Sequence, residues 1–496
     1  MELTWHKYRY YPYERELGLR EVESLLHPSA VRETDADLTV EGAGRGGAAD
    51  QLVYFSSWRE GTESRRTLQA RLEETNGNGK NRQSTRYSVH GLHDYKGKFN
   101  PQIVRAILNI LGVESGSRVI DPFCGSGTAL VECAHLGLGA TGVDMNPFAV
   151  FLANAKVSAL SQEAASLRKE LRAVLGRHSR FVRPTQPPSN PRVDYLSRWF
   201  EPEVLRTIET LRLAIDAASP VARPVLLATA SNLLRDYSLQ DPHDLRIRRR
   251  KSPTPSLPFL DAYSAATNGF LDKLASAQTV LGSVVHGCHA IERDTRQLAL
   301  SSEGLGVDAF DCALTSPPYA TALPYIDTQR LSLVWLGLLN PASILTMDGA
   351  LVGSREVRQV RRSELISGME NNTKTLPATQ AQFCCQLQDA VAETDGFRRQ
   401  AVPALLYRYF SDMRSAFMAI RRCVVTGGPF ALVVGSNHTV LGGTRFDIDT
   451  PVHLAQLAEA SGWTLSEITG LQTYRRYGLH ARNAVNSEAL VILRAS

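Results

Sequence analysis

Several features that would define a protein class are missing from this chain. No run approaches the roughly 18 apolar residues of a membrane-spanning helix. The start, MELTWHKYRYYPYERELGLRE, is polar and aromatic and has no apolar signal-peptide centre. A cytoplasmic protein is expected. Cysteine is scarce and unpatterned: there are seven, with no CxxC pair, and two of them (Cys384 and Cys385) are adjacent. That excludes a disulfide framework and points to a reducing compartment. The twelve histidines contain no HxxxH and form no Cys/His array of zinc spacing. No metal site is expected, and His90 and His93 read as structural or substrate-edge residues. No internal repeat is visible.

What remains is ordinary in bulk. The chain has 496 residues, 43% hydrophobic and 21% charged, enough for roughly two to four domains. The net charge of +5 is a mild basic excess, and its distribution says more than its size. RIRRRK (Arg246–Lys251) and REVRQVRR (Arg355–Arg362) are dense clusters, and YRRYGLHAR (Tyr474–Arg482) interleaves aromatics with arginines. Either these are solvated faces or they meet a polyanion. On the second reading the contacts are Arg246, Arg248, Arg249, Arg250, Lys251, Arg358, Arg361, Arg362, Arg475 and Arg476.

The first 85 residues read as an N-terminal extension with a helix (ERELGLREVESLL) and a flexible, Gly-rich region from about 40 to 84. From 86 to 150 the pattern becomes helix, strand, helix, strand, with short connections, which predicts a parallel sheet. Residues 151–287 are helical in periodicity with Pro-rich breaks, and read as an inserted subdomain. The α/β rhythm resumes over 288–340. A stretch from 341 to 400 reads as an irregular insert. Residues 401–496 close with helix, strand, helix and strand.

Two short segments carry chemistry. VIDPFCGSGTALVECA places Gly125 and Gly127 at a strand-to-helix turn, where positive φ and close backbone approach to a ligand are available. Leu130 stands where a dinucleotide fingerprint has its third glycine, which weakens a nicotinamide or flavin reading. Asp144 ends the next strand, where a carboxylate can accept both ribose hydroxyls of a nucleoside. An ordinary turn with an acidic helix cap is the competing reading. The second segment, CALTSPPYATALPY, ends a strand with two prolines, which remove two N–H donors and leave carbonyls free to accept. Ser316 adds an oxygen, and Tyr319 offers a face for stacking on a base. Together Ser316, Pro317, Pro318 and Tyr319 suit an aromatic ring carrying an exocyclic amine. The competing reading is a stiff turn with a core tyrosine.

DPFCGSGT and TSPPY together resemble the S-adenosylmethionine-dependent DNA amino-methyltransferases, which methylate N6 of adenine or N4 of cytosine. HGLHDYKGKFNPQIVRAIL is similar to that family's cofactor-clasping segment, with Phe99 in the aromatic position. ERDTRQL resembles the segment whose acidic residue, here Asp294, lies near the cofactor's adenine. The resemblance covers 88–150 and about 288–335, and more loosely 405–494. It implies an α/β Rossmann-like methyltransferase fold: a mostly parallel seven-stranded sheet with helices on both faces, plus the helical insert. It also implies S-adenosyl-L-methionine as cofactor, held by Phe99, Asp121, Phe123, Gly125, Gly127, Thr128, Asp144 and Asp294. Ser316 before the prolines is similar to the N4-cytosine group, whereas Asp or Asn there is similar to the adenine enzymes. Cytosine C5 chemistry is excluded, because it needs a cysteine after a proline and the chain has no Pro-Cys.

The implied reaction is direct in-line methyl transfer to a base flipped from double-stranded DNA. Either insert could read the sequence; the larger is favoured slightly, with scaffolding as its alternative. An N6-adenine enzyme, an RNA base methyltransferase and a non-catalytic DNA-binding module are the rivals. A cognate restriction endonuclease is a possible partner. Oligomeric state is open.

Overall fold

The computed structural model describes residues 1–42, 46–76, 82–180, 190–282, 287–298, 305–320, 325–356, 359–472 and 487–496. The chain opens with an antiparallel sheet of five short strands: Glu2–Trp5 (β1), Ala30–Glu33 (β2), Asp37–Glu41 (β3), Phe55–Glu60 (β4) and Glu63–Arg66 (β5). Their order is β2-β3-β1-β4-β5. Alternate residues Leu3 and Trp5, and Leu38 and Val40, are buried, as are Phe55 and Trp58 on β4 where the register shifts, and the helix Pro12–Leu26 packs into the same core through Leu17, Val22 and Leu26. This differs from the flexible region expected over 40–84. Residues 46–76 carry β4, β5 and the helix Leu68–Glu74. Gly-rich flanks mask this region in the sequence, whereas Tyr54, Phe55 and Trp58 between them supply the buried side chains.

The second sheet holds Arg118–Asp121 (β6), Gly139–Asp144 (β7), Cys288–Glu292 (β8), Cys312–Thr315 (β9) and Pro429–Gly435 (β10). After β10 come a two-stranded hairpin, Asn437–Leu441 (β11) with Thr444–Ile448 (β12), and the closing strands Trp463–Gln472 (β13) and Ser487–Ala495 (β14). The order is β13-β14-β10-β9-β6-β7-β8. β6 through β10 pair in parallel, and β14 runs antiparallel to β10 and to β13.

Period-two alternation divides the strands between two cores. Val119, Leu314, Val433 and Leu490 face one cluster, whereas Ile120, Ala313, Val434 and Val491 face the other. Helices cover both faces, and strands buried on both sides read as short apolar runs. The hairpin and β13 were not anticipated, because β13 (WTLSEITGLQ) is an edge strand whose alternate residues are exposed and, apart from Ile468, polar or glycine.

Between β7 and β8 lie the crossover helix Pro147–Leu160 and the helices Ala164–Arg180, Pro191–Leu196, Pro202–Asp216, Ala222–Tyr237 and Phe259–Leu281. They share one continuous core with the first sheet rather than forming a separate body. The segment expected to be irregular over 341–400 is instead mostly helical: Ile344–Ala350, Gln359–Glu370, Ala378–Asp389 and Phe397–Gln400. Its polar sequence hides the helices; the last three pack against the long helix Val402–Arg421, and Ile344–Ala350 packs against the helix Tyr325–Trp335. Among the described residues no helix is long and apolar enough to cross a membrane.

Candidate active site

β6 ends at Asp121, and the chain turns through Pro122–Gly127 into the helix Thr128–His135. Gly125 (φ 48°) and Gly127 (φ 77°) both adopt the left-handed conformation open to glycine. A Cβ on Gly127 would lie 2.6 Å from Cβ of Ala153, so the crossover helix packs directly on this turn. A Cβ on Gly125 would point at the Tyr95 ring, 3.4 Å away. Asp144 holds the turn from below: its Oδ2 accepts from the Gly125 N–H at 2.9 Å, and its Oδ1 from the Asn146 N–H at 2.8 Å. Lys156, buried on the crossover helix, donates to the Ser126 carbonyl at 2.8 Å and to its hydroxyl at 2.9 Å. Burial holds that ammonium's pKa well below its usual value. Sequence reading passed over Lys156, since one lysine in an apolar helix carries no motif.

β9 runs beside β6 and brings Thr315 onto Asp121. The Thr315 hydroxyl donates to the Asp121 carboxyl at 2.7 Å, and the Phe123 N–H does so at 3.2 Å. Burial pushes Asp121 up to about 7 and Asp144 up to about 6. One residue beyond Thr315, Ser316 opens onto a small recess at the mouth of the glycine turn. Phe99, Asp121, Phe123, Gly125 and Thr128 line it together with Ser316, beside Tyr95 and Lys98. Five of the eight expected cofactor residues therefore share one recess with the serine. Burial lowers Lys98 to about 8 while its ammonium donates to the Thr85 carbonyl at 2.6 Å.

The rest of the expected set is placed around this recess rather than in its lining. Pro317 is buried, and Pro318 and Tyr319 are half-buried. The Tyr319 hydroxyl donates to Glu488 at the start of β14, at 2.8 Å. Asn437, at the start of β11, donates its side-chain amide to the Ala320 carbonyl at 3.1 Å. Gly353 (φ 74°) backs the loop so closely that a Cβ there would lie 2.5 Å from the Tyr319 carbonyl oxygen. Glu488, Asn437 and Gly353 had no sequence signal, because each meets the loop only through the fold. Tyr325 opens the helix Tyr325–Trp335.

Asp294 does not line the recess. Its carboxylate caps the short turn Thr295–Gln297 and takes the Arg296 guanidinium through Nε at 2.9 Å and Nη2 at 2.8 Å. Arg296 also reaches Asp412 at 2.9 Å and the Ala350 carbonyl at 3.0 Å, and so joins three segments. Beneath the Thr128–His135 helix lies a fully buried network that the sequence did not reveal. Glu132 accepts from Arg105 and Tyr87 and is bonded to His90 at 2.6 Å, while Arg105 reaches His135 at 3.1 Å. His90, Glu132 and His135 are close enough together to suggest metal ligands, but a guanidinium sits among them and occupies both Glu132 and His135. The set is an ion-pair network that ties the clasping segment to the helix. His93 is buried beside Ser231 and Phe148.

Of the basic residues, Arg246, Arg248, Arg249 and Lys251 are exposed and Arg250 is half-buried. Arg362 donates to the Gln400 carbonyl at 2.8 Å and lies over the Phe397 ring. Arg358, the side chain of Arg361, Arg475 and Arg476 lie outside the described residues.

Comparison with known proteins agrees with this architecture. Residues 92–180 match the family model of the RMKL-like UPF0020 methyltransferase domain. The chain is 24% identical over 435 residues to the Type II methyltransferase M.AvaI of Nostoc sp., covering 79% of this chain and 83% of that one. It is 23% identical over 311 residues to the Type II methyltransferase M.MvaI of Kocuria varians, covering 58% and 67%. A shorter stretch of 93 residues is 40% identical to the Type II methyltransferase M.MjaII of Methanocaldococcus jannaschii, covering 19% and 17%. With the seven-stranded, mostly parallel sheet, the domain match defines an α/β, Rossmann-like methyltransferase fold.

Proposed function

We propose that this protein is an S-adenosylmethionine-dependent DNA methyltransferase acting on the exocyclic N4 amine of cytosine. The observation that carries the reading is the shared recess: the glycine turn, Phe99 and Ser316 face one space. The resemblance of DPFCGSGT and TSPPY to DNA amino-methyltransferases supports it, as do relatives named Type II methyltransferases.

The recess suits the cofactor. At Gly125 the positive φ (48°) suits glycine, and a Cβ there would come into contact with the Tyr95 ring across the cavity, so its absence leaves the turn's backbone accessible. Asp144 is half-buried as a residue, and the Gly125 and Asn146 amides fix the orientation of its carboxylate at the end of β7. Phe99, Asp121, Gly125 and Thr128 would hold the group. When bound, S-adenosylmethionine supplies a methyl made electrophilic by its sulfonium.

Everything else falls to the chain. A cytosine amine is conjugated with its ring and is a weak nucleophile. Ser316 Oγ and the Pro317 carbonyl accept its hydrogens and draw the nitrogen towards tetrahedral geometry, with its lone pair free. Tyr319 stacks on the base, its ring held by the bond to Glu488. The nitrogen so oriented would take the methyl that the bound cofactor supplies, and one amine proton would leave to solvent. Orientation provides most of the acceleration, since no covalent intermediate is needed. A paired base does not reach such a site, so the target is flipped out of the duplex.

The test is nucleoside mass spectrometry of DNA and RNA treated in parallel with the protein and methyl-labelled cofactor. N4-methylcytosine in DNA is the expected product. N6-methyladenine would reassign the base, and label confined to RNA would reject the reading.

A further inference from the structure

Resting on that reading, we infer that residues 239–251 form a prebuilt basic hairpin that binds the DNA phosphate backbone through Arg246, Arg248 and Lys251. The segment LQDPHDLRIRRRK holds five Lys or Arg residues against Asp241 and Asp244, a surplus of three positive charges. It folds back on itself: Gln240 and Arg249 form an antiparallel bridge, the Asp241 N–H donates to the Arg248 carbonyl at 2.8 Å, and the Arg250 N–H donates to the Leu239 carbonyl at 2.9 Å.

The five cations do two different jobs. Arg249 donates to the Arg198 carbonyl at 2.9 Å and lies 5.9 Å from the Trp199 ring. Arg250 donates to the Asp236 and Ser238 carbonyls, the latter at 3.0 Å. These two staple the hairpin to its neighbours. Arg246 and Lys251 are exposed and have no side-chain hydrogen bond or ion pair among the described residues. Among the described residues Arg248 pairs with Asp244 alone, at 3.1 Å, its side chain 64% exposed. An exposed pair of that kind is worth little, so Arg248 is free to exchange Asp244 for a phosphate.

The hairpin is also tied to the catalytic half. Gln240 donates to the Asp327 carbonyl at 3.4 Å, on the helix Tyr325–Trp335 that follows the proline pair in the chain. Ser231 and Ser332 bond at 2.8 Å and Arg192 reaches the Trp335 carbonyl at 3.1 Å, bracing the insert on the same helix. Charge mounted on a fixed support loses little entropy on binding. In the other candidate region, by contrast, Arg362 is already committed to the Gln400 carbonyl and the Phe397 ring.

The experiment measures DNA affinity of the full-length protein against salt, by fluorescence anisotropy on a labelled duplex. Each phosphate neutralised adds about 0.9 to the slope of log K against log salt. R246Q/R248Q/K251Q is therefore expected to flatten the slope by about 2.7 while leaving S-adenosylmethionine binding, read by calorimetry, at wild-type strength. R248E alone should weaken binding at low salt and lose that penalty at high salt, and R362Q should keep the wild-type slope. A triple variant with the wild-type slope overturns the inference and leaves the methyltransferase reading standing. A wild-type protein that shows no salt-dependent DNA affinity overturns both.

Discussion

Replacing Gly353 with alanine tests whether the loop behind the proline pair governs catalysis. Gly353 has φ 74°, and the new Cβ would lie 2.5 Å from the Tyr319 carbonyl oxygen and 3.4 Å from Pro318 Cβ. Two effects add. The left-handed backbone costs a side chain roughly 1–2 kcal/mol. Relieving the overlap to 3.0 Å moves the Tyr319 peptide by about 0.5 Å, at an overpacking cost of about 1–3 kcal/mol. Gly443 is the matched control, since it has φ 80° with nothing within 4 Å of a Cβ. Gly443→Ala carries the backbone cost alone, so Gly353→Ala should be less stable than Gly443→Ala by about 1–3 kcal/mol in urea unfolding. Because a misplacement of about 1 Å near reacting groups costs on the order of 100-fold, the smaller shift here should lower methyl-transfer turnover about tenfold beyond the control. Equal stability and equal turnover for the two variants would refute the view that Gly353 supports the Tyr319 peptide.

Four further outcomes follow from the same geometry. Ser316→Ala removes one acceptor and should lower turnover about 10- to 100-fold, equivalent to roughly 1.5–3 kcal/mol, with cofactor affinity by calorimetry unchanged. Tyr319→Phe and Glu488→Ala each remove this bond, so each should change the fluorescence of a 2-aminopurine target to the same extent, and the double variant should add nothing; additive losses would show that the pair does not act as a unit. Glu132→Gln leaves the Arg105 guanidinium buried without its carboxylate and should cost about 3–5 kcal/mol in chemical denaturation. Asp121, pushed up to about 7 by burial, stays protonated in the folded chain until near that pH but ionises near 3.8 when unfolded. Unfolding then releases a proton between those values, so stability falls as pH rises from about 4 to about 7. Asp121→Asn should abolish that part of the slope, and an unchanged pH profile would remove the assignment.

How much was legible in the sequence follows the range of the interactions. The strand, glycine turn and helix over 118–135 were readable because they are local. Two glycines and a short buried strand specify a turn that few other sequences tolerate. Their match to a known motif, with TSPPY, carried the cofactor and substrate readings. The N-terminal sheet was missed for the opposite reason: its strands are short, its flanks are Gly-rich, and only packing against the Pro12–Leu26 helix makes it a core. Asp294 shows a different limit. The matching segment supplied the acidic residue, but not its pairing with Arg296 two positions on, which depends on side-chain direction rather than spacing.

The sequence by itself determined the chemical parts: a glycine turn open to close approach, a serine before two prolines, and surplus positive charge in one short loop. Their assembly was decided by the tertiary structure. Thr315 meets Asp121 across 194 residues, and Tyr319 meets Glu488 across 169. Both contacts exist because parallel strands place their carboxyl ends, and the antiparallel β14 its start, along one edge of the sheet. The same folding divided the arginines of RIRRRK into two that staple the hairpin and others that face solvent. Composition is blind to that division, because it depends on which backbone carbonyls happen to lie within reach.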